Sequence, residues 1–253
     1  MSSLIEIHEL GKVYPDGTRA LEEVSFSVER GEFAVVVGRS GAGKSTLLRC
    51  TNGLVEPTSG TVELNGRRIT GLTGRRLRES RREMGFIFQQ FNLVKRLTAL
   101  ENVLCGRLHG MPVLRSACRR FSRSDRAAAM EHLGRVGLAE KAGQRADTLS
   151  GGQQQRVAIA RALAQEPKVV LADEPVASLD PESVRVVMDT LRSLAEEDGI
   201  AVICNLHQVN LAGEYADRMV GVREGRLVLD GRFEDLSRGE IEAVYRTPER
   251  ETV

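Results

Sequence analysis

The stretch "FAVVVGRSGAGKSTLLRC" (residues 33–50) joins an apolar run to a glycine-rich loop and then to a helical pattern. The valine run predicts a strand buried on both faces, as in a parallel sheet. The loop matches G-x-x-x-x-G-K-[ST], a pattern in which backbone N–H groups cradle phosphates. The stretch therefore predicts a phosphate-binding strand, loop and helix in an α/β protein.

The residues of this phosphate loop (residues 38–46) have different expected roles. Lys44 is expected to reach the β- and γ-phosphates of a nucleotide, and Ser45 to ligate Mg²⁺ through its hydroxyl. Thr46 can add a further phosphate contact. The whole loop is predicted to bind the nucleotide, through Gly38, Arg39, Ser40, Gly41, Ala42, Gly43, Lys44, Ser45 and Thr46.

The segments around the loop predict two α/β halves separated by helices. Further buried strands are indicated by "GFIFQQF" (85–91), "KVVLADEP" (168–175) and "IAVICNLH" (200–207). Residues 97–165 have apolar positions at helical spacing, and "PESVRVVMDTLRSLAEEDG" (181–199) predicts a helix that begins with proline. Strands alternating with helices imply a mostly parallel sheet that binds ligands at the carboxyl ends of its strands.

The outer segments predict antiparallel structure. Alternating patterns in "LIEIHEL" (4–10) and "EEVSFSVERGEF" (22–33) indicate a small antiparallel sheet, "GTVELNGRRI" (60–69) a further strand, and "VREGRLVLDGRFEDL" (222–236) a hairpin with a short helix. We thus expect one domain over 1–253. It has a P-loop NTPase core with a mostly parallel sheet, an N-terminal antiparallel β subdomain and an inserted α-helical subdomain at about 92–165.

Bulk properties exclude several classes of protein. A formal net charge of +1 over 253 residues argues against nucleic-acid binding by bulk electrostatics. The four cysteines include no C-x-x-C pair, which favours a reduced, intracellular protein without a zinc site or disulfide framework. The N-terminus does not resemble a secretion signal, and no apolar run approaches about 18 residues, so any membrane role is expected to come through a partner.

An acidic pair follows the predicted strand at 168–173. Asp173 ends the apolar run and is expected to hold Mg²⁺, through water. Glu174 is expected to point toward the γ-phosphate, where a carboxylate can polarise an attacking water. This pair predicts a hydrolase rather than a passive nucleotide-binding protein.

A second glycine pair lies in "LSGGQQQR" (149–156), which resembles the signature motif of ABC-type ATPases. Further motifs of that family occur in the expected order, and the resemblance covers about residues 4–231. It implies that Tyr14 stacks on adenine, that Gln89 is the Q-loop glutamine, that residues 178–180 form the D-loop and that His207 is the switch histidine. The catalytic residues it implies are Glu174, His207 and Gln89, and the metal ligands are Ser45, Gln89 and Asp173.

The same resemblance accounts for two glycine-rich sites in one chain. In ABC ATPases two nucleotide-binding domains pack head to tail, and the signature of one covers the γ-phosphate on the phosphate loop of the other. ATP and Mg²⁺ are the implied cofactors, and a homodimer is the implied assembly. The additional nucleotide-binding residues that it implies are Ser150, Gly151, Gly152, Gln153 and Asp180.

Detailed stretches such as "DEPVASLDPES" (173–183) and "NLHQVNLA" (205–212) resemble the ATPase subunits of phosphonate importers. The resemblance implies a peripheral subunit on the cytoplasmic face of the inner membrane. By the same resemblance, this subunit is expected to couple ATP hydrolysis to uptake of phosphonates or related phosphorus oxyanions. Its expected partners are transmembrane permease subunits and, indirectly, an extracytoplasmic substrate-binding protein, and no nucleic acid is expected to bind. An importer of phosphate, amino acids or metal complexes, and an exporter, remain open alternatives.

Other classes of protein fit less well. Soluble ABC ATPases that act on DNA or ribosomes usually carry coiled-coil insertions or two cassettes. A small-molecule phosphotransferase does not need the signature motif. A nonhydrolytic regulatory module would be expected to lose Glu174 or His207.

Two departures from the family pattern are not expected to touch the ATP chemistry. They are Asn205, before "LHQ", and a basic segment that is interpreted as a solvated helical face, with contact to anionic headgroups as the alternative. The basic segment contains Arg115, Arg119, Arg120, Arg123 and Arg126, and "GRRLRESRR" (74–82) is a second basic stretch.

Overall fold

A six-stranded sheet forms the centre of the chain in a computed structural model, which describes residues 3–110 and 121–246. Its order is β10-β9-β3-β8-β7-β6, and all neighbours are parallel except the β9–β10 hairpin. The strands are β3 (Phe33–Val37), β6 (Met84–Ile87), β7 (Val169–Asp173), β8 (Ala201–Asn205), β9 (Arg218–Arg223) and β10 (Arg226–Arg232). The predicted mostly parallel sheet is confirmed.

A second, antiparallel sheet has the order β2-β1-β4-β5. Its strands are β1 (Ile5–Val13), β2 (Arg19–Val28), β4 (Ser59–Leu64) and β5 (Arg67–Arg68). The interpretation of 60–69 as one strand is wrong, because the chain reverses at Asn65 and Gly66, with φ of 52° and 71°. Two consecutive residues in the left-handed region are the requirement of a tight hairpin turn, and Asn-Gly is its preferred sequence.

The helices outside the sheets are shorter and more numerous than predicted. They are α1 (Lys44–Thr51), α2 (Gly74–Arg82), α3 (Ala99–Leu104), α4 (Arg123–Arg135), α5 (Gly151–Leu163), α6 (Pro181–Glu196), α7 (Val209–Tyr215) and α8 (Arg238–Tyr245). The region 97–165 also contains 3₁₀ turns at Cys105–Gly110, Ala139–Lys141 and Ala146–Thr148. In the basic segment, Arg123 and Arg126 lie on α4, whereas Arg115, Arg119 and Arg120 lie outside the described residues.

Two hydrophobic clusters cover the faces of the parallel sheet. Alternate residues of β3, such as Val35 and Val36, point into opposite clusters. One cluster contains α3, α4, α5 and α6, and the other contains α1 and the antiparallel sheet. The carboxyl ends of the parallel strands remain the edge where loops can meet a ligand. Within the described ranges, no helix combines the length and the apolar character needed to cross a membrane.

Candidate active site

The phosphate loop connects β3 to α1 and depends on glycine at its two ends. Gly38 and Gly43 have φ of 151° and 106°. A Cβ at Gly38 would collide with the carbonyl oxygen of Val222, and one at Gly43 with that of Ala20. The loop therefore keeps this path only with glycine at both positions.

Lys44 is the first residue of α1 and is only 4% exposed. Its ammonium donates hydrogen bonds to the carbonyl oxygens of Gly38 (2.8 Å) and Arg39 (3.1 Å). Burial lowers the pKa of Lys44, and the carboxylates of Glu174 and Asp173 oppose that change. A positive charge is thus held at the centre of the loop, where a phosphate group can meet it.

Tyr14 lines the cleft in front of the loop, next to the start of α1. This cleft is lined by Tyr14, by residues 18–20, by most of the phosphate loop and by Glu174. The Tyr14 hydroxyl is 3.3 Å from the hydroxyl of Thr46. The Lys12 ammonium lies 5.3 Å from the ring centroid. One face of the cleft therefore carries an aromatic ring beside a helix N-terminus.

Asp173 ends β7 and is almost completely buried, at 2% exposed. Its Oδ1 accepts hydrogen bonds from the Ser45 hydroxyl (2.6 Å) and the Asn205 amide (2.9 Å), and Arg49 lies 3.4 Å from Oδ2. Sequence reasoning missed Arg49. It also missed that Asn205, which was expected not to touch the ATP chemistry, is hydrogen-bonded to the predicted metal ligand. Asn205 pairs with Asp173 across β7 and β8, so that both side chains leave the sheet on the same face.

The residues around Asp173 fit a magnesium ion that is shared with phosphates. The described part of the chain has no group of three or more His, Cys, Asp or Glu side chains that could hold a metal by itself. Mg²⁺ commonly binds through one or two carboxylates together with substrate phosphates and water. Ser45 Oγ and the Asp173 carboxylate supply such oxygen atoms, and the buried Oδ1 of Asn205 has no hydrogen-bond partner within the described residues.

Glu174 brings the three predicted catalytic residues together. Its Oε2 accepts a hydrogen bond from Gln89 Nε2 at 2.8 Å, and its Oε1 lies 2.5 Å from His207 Nε2. The backbone of Glu174 has φ of 51°, a left-handed conformation that is costly for a non-glycine residue. The carboxylate is thus fixed from two sides at the edge of the cleft. Gln89, which was also predicted as a metal ligand, makes its hydrogen bond to Glu174 here.

The predicted signature residues lie elsewhere, at the start of α5. Ser150 is the N-cap, and its hydroxyl accepts from the Gln153 N–H at 3.3 Å. The Gln153 side chain accepts from the Ser150 N–H at 3.0 Å, which completes a capping box. None of the signature residues 150–153 lines the cleft around Lys44. Asp180, the N-cap of α6, is also outside that lining, and a hydrogen bond from Ser183 lowers its pKa.

Gly152 is required by the close packing of α5 on α6. A Cβ at Gly152 would lie 2.6 Å from the Ser183 Cβ and still closer to its hydroxyl. Gly152→Ala is therefore expected to lower the free energy of unfolding by about 1–3 kcal/mol, as measured by urea unfolding followed by circular dichroism.

Gly134→Ala is the matched control, since Gly134 is in α4 and a Cβ added there would have no neighbouring atom within 4 Å. This change is expected to raise stability by about 0.5–1 kcal/mol. Adding Ser183→Gly to Gly152→Ala should restore stability. A Gly152→Ala protein as stable as the unaltered chain would contradict the packing argument.

Residues 21–177 match the family described as ABC transporter. The phosphonates import ATP-binding protein PhnC of Lactobacillus gasseri is 49% identical over 242 residues, which cover 96% of this chain and 93% of that protein. PhnC of Bacillus thuringiensis subsp. konkukian is 50% identical over 242 residues, which cover 96% of this chain and 94% of that protein.

Solved structures show the same architecture. The ATP-binding cassette MJ0796, described as a dimeric structure of a bacterial ABC transporter cassette, has a TM-score of 0.81 and 36% identity, over 92% of this chain and all of that chain. A post-hydrolysis dimer of the same cassette, bound to ADP and Pi, has a TM-score of 0.79 with the same coverage.

Proposed function

The chain belongs to the ABC transporter family, and from that premise we propose that it is the ATP-hydrolysing subunit of an importer for phosphonates or related phosphorus oxyanions. The observation that carries hydrolysis is the position of Glu174, which lies at the edge of the phosphate cleft and is held by Gln89 and His207. Phosphonates are favoured as the substrate because relatives that are 49% and 50% identical over 96% of this chain are named phosphonates import ATP-binding proteins.

The residues of the cleft divide the chemistry among them. Lys44 binds the β- and γ-phosphates, and Tyr14 provides a surface on which adenine stacks. Ser45 and Asp173 would hold Mg²⁺, which when bound would neutralise charge on the phosphates. Glu174 polarises the attacking water, and its contacts with Gln89 and His207 keep the carboxylate oriented.

The signature completes the site of a second copy in this proposal. Gly151 is exposed at the N-terminus of α5, and the α5 dipole places partial positive charge there. A γ-phosphate bound to the phosphate loop of the partner can therefore interact with this helix end. ATP favours the closed dimer because the γ-phosphate is contacted from both subunits, and hydrolysis removes that link.

Transport requires partners that the chain itself does not supply. We place the homodimer on the cytoplasmic face of the membrane, against two permease subunits, with a substrate-binding protein on the other side. Gln89 connects the cleft with the helical region, because β6 leads into the loop that precedes α3. A change around Glu174 can therefore be transmitted toward a permease through this loop.

The substrate proposal can be tested with a reconstituted transporter. The chain is purified with its cognate permease and substrate-binding protein and placed in proteoliposomes. We expect ATP hydrolysis and uptake to rise when 2-aminoethylphosphonate is added with the binding protein, because loaded binding protein drives the ATPase cycle.

Phosphate, phosphite, amino acids and a metal chelate are each tested in place of the phosphonate. Stimulation by an amino acid or a metal chelate, without stimulation by a phosphonate, would contradict the substrate class while leaving the ATPase assignment intact. The Glu174→Gln subunit in the same liposomes is the control for hydrolysis by contaminants.

A further inference from the structure

Asn205 is a buried polar residue at the carboxyl end of β8, an interior strand of the parallel sheet. It is the last residue of β8 and pairs with Val36 on one side and Asp173 on the other. Its side chain is completely buried, and the strand before it consists of apolar residues. Burying an amide costs free energy unless its polar atoms are hydrogen-bonded. The position therefore calls for an explanation beyond packing.

Only one of the two polar groups of the Asn205 amide has a hydrogen-bond partner within the described residues. Its NH₂ group donates to Asp173 Oδ1 at 2.9 Å, which also fixes the orientation of the amide, since an oxygen facing the carboxylate would be repelled. Its carbonyl Oδ1 is buried and has no hydrogen-bond partner within the described residues. An acceptor left open beside a carboxylate suits a site at which a further donor binds.

Ser45 and Asn205 both donate hydrogen bonds to the same carboxylate oxygen, Asp173 Oδ1. Ser45 gives its only hydroxyl proton to Asp173 Oδ1, so the lone pairs of its own oxygen stay available to a cation. Arg49 is the remaining contact, on Oδ2, at the longer distance of 3.4 Å and with its side chain 46% exposed. The buried contact from Asn205 is thus the main restraint on Asp173 besides Ser45.

We propose that Asn205 is a positioning residue of the metal site, which orients the Asp173 carboxylate through its NH₂ group. The inference rests on the proposed nucleotide site and adds a residue to it. Partners that orient metal ligands typically change metal affinity by about 10–100-fold when they are removed.

The test measures metal binding separately from hydrolysis. The protein is saturated with ADP, and Mn²⁺ binding is followed by electron paramagnetic resonance. Asn205→Leu and Asn205→Ala are expected to weaken Mn²⁺ binding by about tenfold or more, while ADP affinity in EDTA stays within about twofold of the unaltered chain. Leucine is larger than asparagine and alanine is smaller, so a loss shared by both variants identifies the amide rather than a change of side-chain volume.

Ile203→Val is the matched control, because Ile203 lies two residues earlier on the same face of β8 and is buried with an apolar side chain that cannot hydrogen-bond to Asp173. It should lose stability but keep Mn²⁺ affinity.

A second measurement needs no variant. In the unaltered chain, the NMR resonance of the Asn205 side-chain amide should shift when Mg²⁺ joins the ADP complex.

Two results would overturn the inference. One is Mn²⁺ affinity within about twofold of the unaltered chain in folded Asn205 variants, far below the tenfold effect expected. The other is an Asn205 resonance that does not respond to Mg²⁺. Absence of ADP binding by the unaltered chain would instead overturn the proposed function.

Discussion

Glu174→Gln is expected to lower ATP turnover by about 10²–10⁴-fold, the usual contribution of a general base. Glutamine keeps the size of the side chain and can still accept the hydrogen bond from Gln89, but it cannot take a proton from water. The phosphate loop and Asp173 are unchanged, so ATP should still bind. In the proposed dimer the γ-phosphate links the two subunits, so ATP-dependent dimers should accumulate when it is no longer removed.

The measurement combines steady-state phosphate release with size-exclusion chromatography in MgATP. Glu79→Gln is the matched control, since Glu79 is exposed on α2 and pairs with Arg75 away from the cleft. It should keep turnover within about twofold, as expected for an exposed ion pair of small energy. Normal turnover in Glu174→Gln would exclude Glu174 as the base.

Local sequence was sufficient where one segment determines its own structure. The phosphate loop could be predicted because its glycines, its lysine and its hydroxyl lie within nine residues of one strand–helix junction. The Asn65–Gly66 hairpin and the capping box of Ser237 and Glu240 at the start of α8 had equally local signals. The hairpin was missed because the strand pattern of 60–69 continues through its turn. The capping box was missed because the interpreted segment ended at residue 236.

Contacts between distant strands could not be predicted from the local pattern. The hydrogen bond between Asp173 and Asn205 joins residues that are 32 positions apart. It depends on β7 and β8 being neighbours, in a sheet whose order differs from the sequence order. The same holds for Arg49, since nothing in its helix indicates a buried carboxylate nearby. Family motifs indicated which catalytic residues lie around Glu174, but the hydrogen bonds between them required the structure.

The proposed head-to-tail dimer predicts that two inactive variants restore activity when they are mixed. Lys44→Ala removes the phosphate contact of the loop. Gly151→Asp puts a carboxylate on the exposed start of α5, where neighbouring atoms, including those of Leu179, leave ordinary van der Waals room. Asp at a helix N-terminus is favourable for the monomer, but it repels a γ-phosphate. Each variant alone is expected to lose about a hundredfold or more in turnover.

A mixed dimer of these variants contains one intact composite site. That site combines the unaltered phosphate loop of the Gly151→Asp subunit with the unaltered signature of the Lys44→Ala subunit. Random pairing of equal amounts gives about a quarter of the sites intact, so turnover should rise from near zero toward that fraction. If the signature instead served the phosphate loop of its own subunit, no intact site would form and the mixture would stay inactive. Mixing Lys44→Ala with the double variant, Lys44→Ala plus Gly151→Asp, is the control: it supplies no intact phosphate loop, so activity there would show that contamination, rather than complementation, is being measured.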